Sequence, residues 1–261
     1  MKRAKSNEIR ARALQRNDRA DHLNDVIGGA NLLAGGALMV ALVDVPILAR
    51  GVYDLDTLAS GLLLSRFLIG IPAGALAGGW LAGSLGQRAT SAAGLVVAGG
   101  AFVLMSGWDL HALGAASPIA SAELAACGVG FGLVIAPLSL AVLDRAGARE
   151  HGLASSLVVL SRSVGMVVAL SALTAFGLAR LQSILVARRC DTLTAGPGSL
   201  LDKLTAYEDC LRGALLQEYR EIFLVAAGLC GLAALIALAT LPSRAARTAS
   251  SRPARPEAVP E

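Results

Sequence analysis

The chain has 261 residues, of which 55% are hydrophobic and only 16% charged, with 29 glycines and a formal net charge of +4. Soluble domains carry about 25% charged residues, so a mean hydropathy of +0.62 with long unbroken apolar runs excludes a water-soluble globule, a disordered chain and a disulfide-built secreted scaffold for the bulk of the sequence. The positive balance does not point to nucleic acid, because the basic residues gather at the two ends of the chain.

Residues 1–25 are charged throughout and contain no apolar stretch before a small-residue cleavage site, which predicts a basic cytoplasmic segment rather than a cleavable signal. Six apolar segments follow, at 26–49, 57–83, 89–108, 119–143, 152–179 and 219–241. Crossing about 30 Å of hydrocarbon takes about 20 residues of helix. Lipid offers the backbone no hydrogen-bond partner, so each segment must be a helix, and the short alternating strands of a barrel are absent from the sequence. The expected fold is an all-α membrane protein with one six-helix domain over 26–241, placed in the cell membrane.

Lys and Arg set the orientation. Fourteen of them fall on one side: seven in the N-terminal segment, Arg88, Arg145, Arg149 and four in the tail. The other side holds Arg50 and six in the stretch 180–220, where Asp191, Asp202, Glu208, Asp209, Glu218 and Glu221 offset them. Both termini are therefore expected on the cytoplasmic side. Connections are short except for an outer loop at 180–218. Its Thr194–Ser199 stretch has turn chemistry, and Leu200–Leu216 repeats apolar residues at helical spacing, which predicts a surface helix leading into the last span. The tail 242–261, rich in Pro, Arg, Ala and Ser, is expected to be a disordered cytoplasmic segment.

Cys127 and Cys230 lie inside spans, where they read as small packing residues. Cys190 and Cys210 fall in the outer segment, where an oxidising compartment would let them pair; two separate thiols are the alternative. On the second span Gly70, Gly74 and Gly78 repeat at four-residue spacing, with Gly79 and Gly83 beside them, a pattern for close helix approach or for a sliding surface. Gly128, Gly130 and Gly132 make a similar face before Pro137, which predicts a bent helix that packs tightly or lines a passage. Pro46 frees a carbonyl two residues after Asp44 in the first span.

Four ionisable residues interrupt the spans, each costing several kcal/mol unless paired or wetted. Asp44 and Arg66 lie at depths that differ by about 6 Å at 1.5 Å of rise per residue, so an ion pair or a shared wet cavity is open to them. Glu123 is close enough to the outer end of its span to reach interfacial water. Arg162 lies about ten residues from either face of its span, flanked by Ser161 and Ser163, and must face protein or an aqueous cavity. These four are the transport or proton-coupling candidates. His22, His111 and His151 have no metal-ligand spacing, and no nucleophile elbow or phosphate-binding loop occurs in the sequence, so neither an enzyme nor a cofactor or metal is expected.

The stretch Gly79–Arg88 (GWLAGSLGQR) resembles the cytoplasmic loop signature of the major facilitator superfamily, G-x-L-A-D-R-x-G-R-[KR], through Gly79, Leu81, Ala82, Gly86 and Arg88. Gly83 and Ser84 replace its acidic and basic members and Gln87 a further basic one, so the resemblance implies a weakened charge latch. The segments Gly128–Leu143 and Gly152–Leu178 are similar to the C-terminal helices of that superfamily's fourteen-helix drug:proton antiporter branch, which also tends to extend an outer segment before its last span. The resemblance implies a C-terminal six-helix half of a secondary transporter, exporting a small organic compound or drug against protons by alternating access. Such transporters enclose their site between two bundles. A gene fragment, a split half that meets a partner bundle and a homodimer all fit one bundle. A non-transporting scaffold or regulatory subunit is the alternative, in which the same charges only pair helices.

Overall fold

The computed structural model describes residues 2–110, 117–143, 151–188, 190 and 200–241. Its elements are helices α1 (Lys2–Gly51), α2 (Thr57–Ser84), α3 (Gln87–Met105), α4 (Pro118–Leu143), α5 (His151–Arg188) and α6 (Leu200–Thr240), with no strand among the described residues. All six contain a stretch long and apolar enough to cross a membrane, so the chain is a multi-pass membrane protein. The turn at 144–150, the Thr194–Ser199 stretch and the tail 242–261 lie outside the described residues.

Local chemistry sets the helix ends. Asp56 caps α2, its side chain accepting the Ala59 N–H at 2.9 Å. At the other end, Leu85 and Gly86 alone link α2 to α3: the Leu85 N–H donates to Leu81 O at 2.7 Å and the Gly86 N–H to Ala82 O at 3.2 Å. Gly86 has φ 93°, a conformation that a side chain would strain, which accounts for glycine at this position of the loop signature.

Two boundaries differ from the sequence reading. The N-terminal segment is helical and continuous with the first span, because its Arg, Lys, Ala, Leu and Glu residues are good helix formers that need no break before the lipid. The outer loop expected at 180–218 is mostly helix as well: α5 runs on to Arg188 and α6 starts at Leu200, the surface helix and last span forming one rod. Pro46 and Pro137 sit inside α1 and α4, and Pro72 inside α2.

α2 packs on α4, α3 on α4 and α6, and α1 on α5 and α6. Exchanging α1–α3 with α4–α6 maps this set of contacts onto itself, the arrangement of two three-helix repeats related by a twofold axis. A file of rings runs through the core. Phe67 meets Phe131 edge-on at 6.2 Å, Phe131 meets Phe102 at 6.2 Å, Phe102 stacks on Phe223 at 6.1 Å, and Phe223 meets Trp108 at 6.1 Å. Each such pair adds about 0.5–1.5 kcal/mol beyond burial, and together they tie α2, α4, α3 and α6.

Glycine sets how close the helices come. A Cβ on Gly70, Gly74 or Gly78 would strike α4 backbone at Ala125, Val129 or Leu133, and one on Gly128 or Gly132 would strike Phe67 or Ile71 of α2. Gly130 serves α3 instead, against Gly94 and Ala98, so the small face of α4 packs on both sides and lines no passage. The α1–α5 contact repeats the device: Gly165 lies on the Leu32 backbone and Gly35 on the Arg162 backbone. Gly79 and Gly83, by contrast, have open space where a Cβ would project.

Gly132→Val and Gly165→Val should each force a helix pair apart, costing at least the about 1–3 kcal/mol typical of overpacking. Thermal unfolding of the detergent-purified protein would show a clear drop for both, while Gly79→Val melts like the parent.

Candidate functional site

The α1–α5 contact carries two of the polar residues that the sequence marks. Gly35 and Gly165 bring the backbones together, and at that level the Arg162 guanidinium donates from Nη2 to Asn31 Oδ1 at 3.3 Å. Asn31 is 1% exposed, and its Nδ2 has no acceptor. Arg162 makes no ion pair among the described residues, so its charge is met inside this bundle by a neutral amide. Asn31 escaped the sequence reading because an amide carries no charge to draw attention in an apolar run. Its signal was being the lone amide in the run from Val26 to Ile71.

Asp44 lies farther along the same interface. It lines a narrow cleft with Met39 and Val40 of α1 and Ala169, Leu170, Leu173 and Thr174 of α5. The ion pair with Arg66 that similar depth leaves open is not formed. Arg66 is half-buried on α2, and α2 packs on α4 rather than along α1, so equal depth does not bring the two side chains together.

Glu218 is the larger surprise. The sequence places it in the outer segment, balancing cations, yet it is 8% exposed on α6 with Oε2 unpartnered. Its other oxygen sits over Gly177, in space that only a missing Cβ leaves free. Glu218 and Asp44 face neighbouring turns of α5, Glu218 at Gly177 and Asp44 at Thr174. The signal for it was present in helical spacing: Ala214, Glu218 and Ile222 form one buried stripe of the α6 rod.

Glu123 is half-buried and bonded within the protein. Its Oε2 accepts the Trp108 indole N–H at 2.6 Å, and Trp108 in turn packs on Phe223, so this carboxylate anchors the α3–α4 connection to the core. Within the loop signature, Ala82 is buried, Leu81 half-buried, Gly79 and Arg88 exposed, and Gly86 forms the turn. Gly83 and Ser84 occupy the charge-bearing positions without charge, leaving helix ends joined by backbone hydrogen bonds.

Polar ties fasten the far ends of α5 and α6. Arg180 grips Glu221 with two hydrogen bonds, at 2.6 and 2.8 Å, and Arg188 donates to Gln217 at 2.8 Å. Cys190 and Cys210 form a disulfide, with Cα atoms 5.8 Å apart. Arg212 reaches across to Asp54 at 2.7 Å, and Tyr53 donates to the Asp109 carbonyl at 2.6 Å. Burial and the Asp109 carboxylate raise the Tyr53 hydroxyl above its ordinary range, so it stays a donor at any working pH.

Cys190→Ser should lower stability by about 3 kcal/mol, the chain-entropy value for a loop of this size. The check is a thermal melt with and without reductant: the parent should fall to the variant's midpoint on reduction, and the variant should not respond.

Among the described residues, no group of three His, Cys, Asp or Glu side chains converges. A profile of the Major Facilitator Superfamily matches residues 11–170. Three curated relatives, all named triacylglyceride transporters, align with the chain. The protein of Mycolicibacterium smegmatis is 43% identical over 210 residues, covering 77% of this chain and 38% of its own length. That of Mycolicibacterium hassiacum is 41% identical over 212 residues, covering 77% and 39%. That of Mycobacterium tuberculosis is 37% identical over 210 residues, covering 77% and 40%. The chain thus spans about two fifths of the length of the curated relatives it matches. With six apolar helices in a twofold contact pattern, a loop signature between α2 and α3 and a profile match over more than half its length, this chain belongs to the Major Facilitator Superfamily.

Proposed function

We propose that the chain is the C-terminal six-helix half of a proton-coupled secondary transporter that works by alternating access and moves a lipid-like organic compound out of the cell. The observation that carries this reading is the placement of Arg162 and Asp44 on one helix pair, within lipid-spanning stretches, with neither closed by an ion pair among the described residues. Ionisable groups at such depth are costly and are kept where a watery passage or a partner charge meets them. The names of the relatives favour an acylglycerol over a small cationic drug as the substrate.

A second bundle completes the site in this proposal. α2 and α5 have the least buried spans, and they expose Leu58, Ile69, Leu76 and Trp80 on one side and Leu153, Leu160 and Val167 on the other. Such faces suit contact with another six-helix unit, a partner half or a second copy, as well as with lipid. The basic excess of the N-terminal segment and the tail supports both ends of the six-helix domain on the cytoplasmic side of the plasma membrane. The α5–α6 hairpin with its disulfide then faces outward, in the oxidising compartment. In this arrangement Asp44 takes up and releases the coupling proton, and Arg162 faces the passage.

Transport in vesicles, with the chain alone and with a companion bundle, tests the reading. Labelled triacylglycerol should move in response to an imposed proton gradient, and a small cationic dye should move less. Arg162→Ala should cut flux at least tenfold while membrane insertion stays intact, and Asp44→Asn should flatten the pH dependence of flux. Undiminished flux in Arg162→Ala removes that residue from the passage. No flux in any assembly leaves the scaffold role, in which these charges only join helices.

A further inference from the structure

We infer that Asp44 and Glu218 form a two-carboxyl site that holds one proton between α1 and α6, so that the proton-carrying unit is the pair and not Asp44 alone. This rests on the proposed proton-coupled reading and extends it to a residue outside the sequence-derived site.

Glu218 is more than nine-tenths buried, and one of its oxygens has no partner. A buried carboxylate left unpaired costs far more than a neutral carboxylic acid in the same place. Among the described residues the neighbourhood supplies no compensating cation. α1 contributes Asp44, a second acid, and α6 contributes Tyr219, a neutral hydroxyl. α5, packed against both helices, brings Leu173, Thr174 and Gly177; its one nearby cation, Arg180, is held by Glu221. Arg220 is exposed and lines a groove with Leu48, Trp108, Tyr219 and Phe223.

Two carboxyls facing neighbouring turns of α5, without a cation among the described residues, cannot both ionise cheaply, so the first proton is shared and titrates as a property of the pair. The location suits a carrier. Asp44 opens onto the α1–α5 cleft, and Glu218 is closed in over Gly177, giving the proton one acid at a cleft and one enclosed acid. Because the two acids belong to helices of opposite three-helix repeats, a shift of one repeat against the other would change their separation and with it the affinity for the proton.

The test is infrared titration of the full chain in lipid vesicles, following the carbonyl band of protonated carboxyls, alongside flux. The parent should show about one protonated carboxyl per chain at neutral pH that Asp44→Asn with Glu218→Gln removes. Each single substitution should move the midpoint of that band down by about one pH unit or more, because the like charge is gone. Either single variant suffices to read the coupling, so poor folding of one leaves the other decisive. An unchanged midpoint in both, or a band that responds to sodium concentration and not to pH, overturns the shared site. If Asp44→Asn alone flattens the flux profile and Glu218→Gln behaves as the parent in both measurements, the pair falls and coupling at Asp44 stands. If flux ignores pH throughout while the band shifts as expected, coupling falls and the pair stands.

Discussion

Everything in this bundle depends on backbone-to-backbone contact at glycine. Inside lipid, burying a leucine between two helices gains little, since hydrocarbon surrounds it either way, so helices hold together by van der Waals fit and by the polar groups they share. The α2–α4 and α1–α5 crossings both meet this condition, with glycines seated on the partner's carbonyls at Phe67 and Ile71 on one side and at Leu32 and Arg162 on the other. The two crossings are equivalents under the exchange of three-helix repeats, yet they are put to different uses. α2–α4 is apolar along its close contact and continues into the ring file of Phe67 and Phe131. α1–α5 carries Asn31, Arg162 and Asp44 beside its glycines. One crossing is apolar and its twofold equivalent carries the polar side chains.

Much of the fold was legible because its governing length is physical. A span must be about 20 apolar residues, so six windows could be placed from composition alone, and the Gly70–Gly74–Gly78 period read as a contact face. What the sequence hid were pairings between distant elements. Depth along a helix can be counted, but azimuth and neighbour cannot, which is why Asp44 and Arg66 looked matched although α2 packs on α4 and leaves them apart. The 180–218 stretch misled for another reason. Its polar residues mark a helix standing clear of the lipid as readily as a loop, and the ties of Arg180 to Glu221 and of Cys190 to Cys210 that keep two rods together act across 41 and 20 residues of sequence.

Those ties also explain how a glutamate can be buried so near the outer end. Extending α5 and α6 as a fastened hairpin carries the protein interior past the 219–241 segment expected from the sequence, so Glu218 is buried one residue outside it. The α6 rod has alternating consequences along its length: Arg212 and Glu221 point to polar partners, while Ala214, Glu218, Ile222 and Ala226 line the core at three- to four-residue spacing. Glu218 thus obeys the helical period of the core and violates only its polarity.

The two buried polar sites of the α1 side differ in what would satisfy them. Arg162 is a permanent cation with a neutral amide donor-acceptor beside it, so what it lacks among the described residues is negative charge. Asp44 and Glu218 can satisfy themselves by taking up a proton, an option open to acids and closed to arginine. Arg162 and Asp44 share the α1–α5 contact, while Glu218 faces the same α5 from α6, so a shift of α5 would be felt at all three.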